Sequence, residues 1–136
     1  MKRNPTTFRV FVSFEYERDL ANARNLIAQA QYRYGRSVVD MSLSEPYRAD
    51  TGEWVNKARA AISNSDVIIV LLGPNTHNAP GVTREIKLAK SLGKPVIQVR
   101  PQAKAWRVHQ LLTEENLIVW KWKNLDPYFE SNFGKR

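Results

Sequence analysis

The stretch VIIVLLGPNTHNAPGVTREI, Val67 to Ile86, opens with six apolar residues in unbroken succession and ends in what reads as the first turns of a helix. A strand with one wet face alternates apolar and polar side chains. Val67 to Leu72 does not alternate, so both of its faces are covered, as at the centre of a parallel sheet with helices on either side. Gly73, Pro74, Asn75 and Asn78 then interrupt regular structure, and a helix is expected from about Pro80 to Leu92.

Working outward, Phe8, Val10, Val12 and Phe14 alternate with Arg9, Phe11 and Ser13, the period of a first strand. Leu20, Ala23, Ile27, Ala30 and Tyr34 follow at helical spacing, and Gly35 closes that segment as a helix-ending glycine. Ser37 to Asp40 reads as a second strand and the proline-bearing Met41 to Ala49 as a loop. Asp50-Thr51-Gly52-Glu53 has the pattern of a capping acid with a glutamate three residues on, ahead of a helix whose apolar face is Trp54, Val55, Ala58, Ala61 and Ile62. Downstream the reading gives a strand from Pro95 to Val99, a helix from Lys104 to Leu112 and a strand from Leu117 to Trp120. The aromatics Trp120, Trp122, Tyr128, Phe129 and Phe133 indicate a last short helix packed back on the body.

Strands alternating with helices predict an α/β architecture. Residues 1–136 are read as a single flavodoxin-like domain, with a five-stranded, mainly parallel sheet and helices on both faces, because parallel neighbours need crossover connections. In such a fold ligands bind outside the carboxyl ends of the strands, where the winding reverses between strands one and three. The loop after Leu72 lies there, opposite Ser13, Phe14, Glu15 and Tyr16 just after the first strand.

On a helical wheel starting at Val82, Ile86, Leu88, Ala89 and Leu92 share one apolar arc, and Glu85 falls within it at about 300°. Thr83, Arg84, Lys87, Lys90 and Ser91 take the wet side. A carboxylate turned towards a sheet loses hydration, which either raises its pKa or demands a partner. Glu85 is therefore either paired with a lysine or arginine, or capping backbone N–H groups, or an acid facing a ligand. Ser13, Phe14, Ser42, Thr76 and His77 flank the same switch point and are candidate substrate contacts, although a core position for Phe14 and an exposed loop position for His77 are the plainer readings.

Composition narrows the function classes. There is no cysteine and only two histidines, His77 and His109, so no disulfide framework, thiolate zinc site or metal cluster is expected. No apolar run approaches the roughly 20 residues of a membrane helix, and Met1 to Thr7 has no apolar signal core, so a soluble, cytoplasmic protein without a membrane partner is expected. The formal charge of +8 favours anionic partners. Nucleic acid is not expected among them, since no basic stripe with interleaved aromatics and no helix-turn-helix or zinc-finger spacing occurs. Neither a P-loop nor a GxGxxG is present. Leu72-Gly73 stands where a phosphate-accepting receiver would carry an aspartate.

Phe8 to Phe14 (FRVFVSF), Ser42 to Pro46 (SLSEP), Trp54, Ser65 to Val70 (SDVIIV) and Gly73 to Ile86 together resemble one family, most specifically in the string THNAPGVTREIKLAKSLGKPVIQV. It is that of small bacterial TIR-like domains, which includes the TIR-like subunit of Thoeris antiphage defence. The similarity runs from about Phe8 to Arg100. The resemblance implies a flavodoxin-like sheet and, in catalytic members, cleavage of NAD+ by a glutamate on the helix after strand three, a position that matches Glu85. NAD+ is then the substrate and no separate cofactor is implied. Signalling members make a cyclic ADP-ribose isomer that switches on a partner effector. Pro80-Gly81-Val82-Thr83 departs from the tryptophan and cysteine that precede the glutamate in many TIR enzymes, and the loop after strand two is shorter than the family's usual one.

The chemistry implied has a physical form. Expulsion of neutral nicotinamide leaves oxocarbenium character on the ribose, which one nearby carboxylate can stabilise. Water attack gives ADP-ribose; attack by a ribose hydroxyl or the adenine gives a ring. Two other readings stand beside this one. In the first the chain is a non-catalytic, self-associating scaffold module, with Trp122, Tyr128 and Phe129 either serving a partner or simply packing on the sheet. In the second it acts like the nucleoside deoxyribosyltransferases, which share the architecture and use a glutamate as a covalent nucleophile.

Overall fold

The computed structural model describes residues 7–48, 51–102 and 104–133. Its strands are β1 (Phe8–Ser13), β2 (Val38–Asp40), β3 (Val67–Leu71), β4 (Val96–Pro101) and β5 (Leu117–Trp120), and its helices are α1 (Tyr16–Tyr34), α2 (Gly52–Ser63), α3 (Pro80–Ser91) and α4 (Trp122–Phe133). The strands form one sheet in the order β2-β1-β3-β4-β5, and every neighbouring pair is parallel.

All five residues of β3 are buried, as the absence of alternation required. The pleat sends Val67, Ile69 and Leu71 to one face, with Val10 and Val12 of β1, where α1 and α4 cover them. Ile68 and Val70 face the other way with Phe11, beneath α2 and α3. The register pairs Phe11 with Ile68 and Ser13 with Val70, so Ser13 emerges on the α2/α3 face at the carboxyl end of the sheet.

Local chemistry ends and starts these elements. Gly35 stops α1 with φ 63 and its N–H on Gln31 O, a left-handed closure that glycine adopts without strain. Thr51 caps α2 by accepting a hydrogen bond from Trp54 N; the expected capping acid, Asp50, lies outside the described residues. Pro80 opens α3 at its first turn, where a missing N–H costs nothing. Leu92, expected on the apolar arc, lies past the last turn of α3 and is 37% exposed.

The expected helix from Lys104 to Leu112 does not form; residues 104–113 run irregularly instead, ahead of a single 3-10 turn at Glu114–Asn116. The Gln98 amide, fully buried, takes over the hydrogen bonding that a helix would supply: Nε2 donates to Thr113 O at 2.9 Å and Oε1 accepts from His109 N at 2.8 Å. Val108, Leu111 and Leu112 cover the α2/α3 layer from this loop.

The C-terminal aromatics pack on the body. Phe129 is 1% exposed and meets Phe8 edge-on at 5.3 Å and Tyr34 in a stack at 5.5 Å, while Trp122 and Tyr128 are half-buried against the same layer. Among the described residues no helix is long and apolar enough to cross a membrane.

Candidate functional site

At the carboxyl ends of β1 and β3 the structure holds a cavity of about 220 Å³. Three segments wall it: the end of β1 with the start of α1 (Phe14, Tyr16), the β2–α2 loop (Leu43, Tyr47), and the first turns of α3 (Gly81, Glu85). Glu85 is 8% exposed. Ser13 Oγ donates to its Oε1 at 2.7 Å, and among the described residues no lysine or arginine forms an ion pair with it. Burial pushes the carboxyl up to about 8, against the smaller opposing pull of the Ser13 hydrogen bond. The misplaced charge of the helical wheel is thus neither ion-paired nor at the helix cap. It is an acid on a cavity wall, held by one hydroxyl.

The surrounding wall is built by close contacts. The Phe14 and Tyr16 rings stack at 5.7 Å with 21° between planes, and Tyr16 OH donates to Ser44 O at 2.9 Å, tying the start of α1 to the β2–α2 loop. Ser42 ties the same loop to the sheet, its Oγ accepting from Val12 N at 2.8 Å. Tyr47 stands edge-on to the buried Trp54 ring at 4.8 Å. A Cβ at position 81 would lie 2.7 Å from Tyr47 Cβ, so only glycine lets the loop cross α3 this closely.

The structure brings Ser13 and Phe14 to Glu85. Ser42 lies on the far side of the Phe14–Tyr16 pair, in an adjoining cavity. Thr76 and His77 are turned elsewhere. Thr76 is fully buried and its Oγ1 accepts from Gly73 N at 2.7 Å, which pins the turn after β3. The Arg107 guanidinium donates to His77 Nε2 at 2.9 Å, and His77 O accepts from Gln110 N. Gly73 itself is crowded by Asp19, whose Oδ2 lies 2.2 Å from where a Cβ would be. Desolvation, with Glu15 nearby, raises the Asp19 carboxyl above its usual range.

Sequence reasoning did not single out Tyr47, Gly81 or His109. A glycine in the first turn of a helix was a usable cue for Gly81, since it marks close approach; Tyr47 sits in an aperiodic loop that offers none. His109 is fully buried. Leu111 N donates to its Nδ1, which leaves the proton on Nε2 for Thr83 Oγ1 at 2.8 Å, and Thr83 in turn donates to Ala79 O. Desolvation lowers its pKa, so this chain from the β4–β5 loop to the start of α3 is built on the neutral ring. Among the described residues no three histidine, aspartate or glutamate side chains are grouped to hold a metal.

Over residues 11–105 the sequence matches the family model described as Thoeris protein ThsB, TIR-like domain. Solved structures that resemble this one include the TIR domain of the Toll-related receptor TRR-2 from Hydra magnipapillata, at 19% identity and TM-score 0.60, covering 93% of this chain and 94% of that one. The CMP N-glycosidase BcmB of Clostridium botulinum shares 19% identity at TM-score 0.53, covering 90% of this chain and 96% of that one. A 2-desoxiribosyltransferase from Leishmania mexicana shares 20% identity at TM-score 0.53 over 68% of this chain, which spans 64% of that protein's length. At these identities the likeness is one of fold. No curated protein matches the sequence.

Proposed function

The chain belongs to the TIR-like domain family of the Thoeris protein ThsB, and from that premise we propose that it cleaves NAD+ between nicotinamide and ribose, with Glu85 as the catalytic carboxylate. The observation that carries this reading is the buried Glu85 on the cavity wall, with one oxygen held by Ser13 and no cation paired with it among the described residues.

Before substrate binds, a carboxyl with a pKa of about 8 is mostly protonated at neutral pH. The nicotinamide ring of NAD+ carries a positive charge, and a cation beside a desolvated carboxyl favours the ionised form. Binding thus charges the acid when it is needed. As the glycosidic bond lengthens, the ring charge is lost to the neutral leaving group and reappears as oxocarbenium character at the ribose. A carboxylate fixed in a low-dielectric wall stabilises that shift without reorganising. Ser13 limits the side chain's freedom, so the free oxygen faces the sugar.

What attacks the sugar decides the product. The Phe14–Tyr16 pair and Tyr47 narrow the cavity, which favours a folded substrate and an internal nucleophile over water. The product on this reading is a cyclic ADP-ribose-type nucleotide that activates a separate effector in antiphage defence. The test is mass analysis of the small molecules formed when pure protein is incubated with NAD+. Nicotinamide together with a dehydrated, cyclic form of ADP-ribose is the expected result; linear ADP-ribose alone removes the cyclisation step, and intact NAD+ across a range of protein concentrations removes the activity.

A further inference from the structure

A second cavity, of about 240 Å³, adjoins the Glu85 cavity and shares Val12, Phe14, Tyr16 and Leu43 with it as a common wall. Ligand pockets usually enclose about 300–1,000 Å³. Neither cavity alone reaches that range, whereas the pair does.

Their charges differ. The described lining of the first cavity carries Glu15, Glu17, Glu45 and Glu85 and no lysine or arginine; Arg18 and Lys57 reach Glu15 and Glu45 from outside that lining. Such a wall suits a cationic ring and repels a diphosphate. The one cation among the described residues lining the second cavity is Arg24 of α1. It is exposed, and among the described residues it makes no ion pair or side-chain hydrogen bond.

Asp40 and Ser42 line the same cavity. Asp40 is the last residue of β2, the strand next to β1. In dinucleotide-binding sheets an acid about 20 residues past the first βα turn hydrogen-bonds a ribose hydroxyl, and here Asp40 reaches the corresponding edge of the cleft. Its Oδ1 accepts from Ser42 N at 2.9 Å, which orients the carboxylate, and the Ser42 hydroxyl, already accepting from Val12 N, keeps its proton to donate. Asp40 pairs with Val10, three residues before Ser13. At a rise of about 3.3 Å per residue and a strand spacing of about 4.8 Å, the two backbone positions are about 11 Å apart, close enough for a substrate folded at its diphosphate to keep one ribose at each.

We propose that the second cavity is the subsite for the adenosine diphosphate half of the substrate, with Arg24 on the diphosphate and Asp40 with Ser42 on the ribose diol. This rests on the NAD+ reading above, and the experiment separates the two. ADP, which has the diphosphate and the diol but no nicotinamide, is titrated into the full chain and followed by amide chemical shifts, for wild type, Arg24→Gln and Asp40→Asn. All three positions are exposed or half-buried, so the variants keep the fold. ADP is expected to shift the amides of Arg24, Asp40 and Ser42, and each substitution to weaken it at least about tenfold. ADP affinity unchanged in both variants, with NAD+ still cleaved, overturns the subsite alone. ADP binding as described by a protein that leaves NAD+ intact supports the subsite and overturns the cleavage.

Discussion

Glu85 is one residue whose ionisation touches stability and, on the proposed mechanism, activity. Its folded pKa of about 8 lies above the ordinary glutamate value of 4.5. Between those two values the folded chain keeps a proton that the unfolded chain has released, so stability falls as pH rises through that window. At about 1.4 kcal/mol per pKa unit the full effect is at most about 5 kcal/mol. Glu85→Gln removes it. The variant is expected to match wild type in thermal unfolding below about pH 4.5 and to exceed it progressively up to about pH 8, where the difference levels off. Activity is expected to run the opposite way, because on the proposed mechanism the carboxylate is the working form: kcat/KM reports the free protein and is expected to rise with pH to a plateau above about 8. Ser13→Ala removes the hydrogen bond that favours the charged form, and the rise is expected to move to higher pH. This residue was legible in the sequence, since a single charge inside an apolar helical arc needs only the 3.6-residue period to be seen. Thr76 and His77 were placed by nearness in sequence, and the short turn after β3 points them into its own backbone and towards Arg107.

At the scale of elements, β1, β3 and α1 to α3 were readable because burial on one or both faces imposes a period that a single chain shows. Lys104 to Leu112 was not. Val108 and Leu111 recur at a spacing that serves a helix and a loop lying on α3 equally well, and the deciding contacts come from the amide of Gln98, distant in sequence. Tyr47 and Arg24 escaped for a related reason, because which wall a loop or an exposed helical face contributes to a cavity depends on neighbours brought in by the fold. Two element-level changes test the packing. Gly81→Ala forces the β2–α2 loop away from α3, and nicotinamide release is expected to fall about tenfold or more while the unfolding midpoint moves little. Phe129→Ala empties the seat of α4 against Phe8 and Tyr34 and is expected to cost about 3–5 kcal/mol in denaturant unfolding.

The whole molecule carries +8, yet its cavity beside Glu85 is walled by carboxylates. The two charges act at different ranges. On the proposed NAD+ reading, a basic exterior draws an anionic dinucleotide to the surface, an effect that salt screens over about 10 Å at 0.1 M, while the acidic interior selects its cationic ring. Raising ionic strength is therefore expected to increase KM for NAD+ with kcat nearly constant. The central claim is that one buried carboxylate drives bond cleavage, and the rate of nicotinamide release from bound NAD+ under single-turnover conditions tests it most directly, compared between wild type and Glu85→Gln at pH 8. A loss of about a hundredfold or more, the scale of removing one preorganised charge-stabilising group, is the expected result; equal rates in the two proteins contradict it.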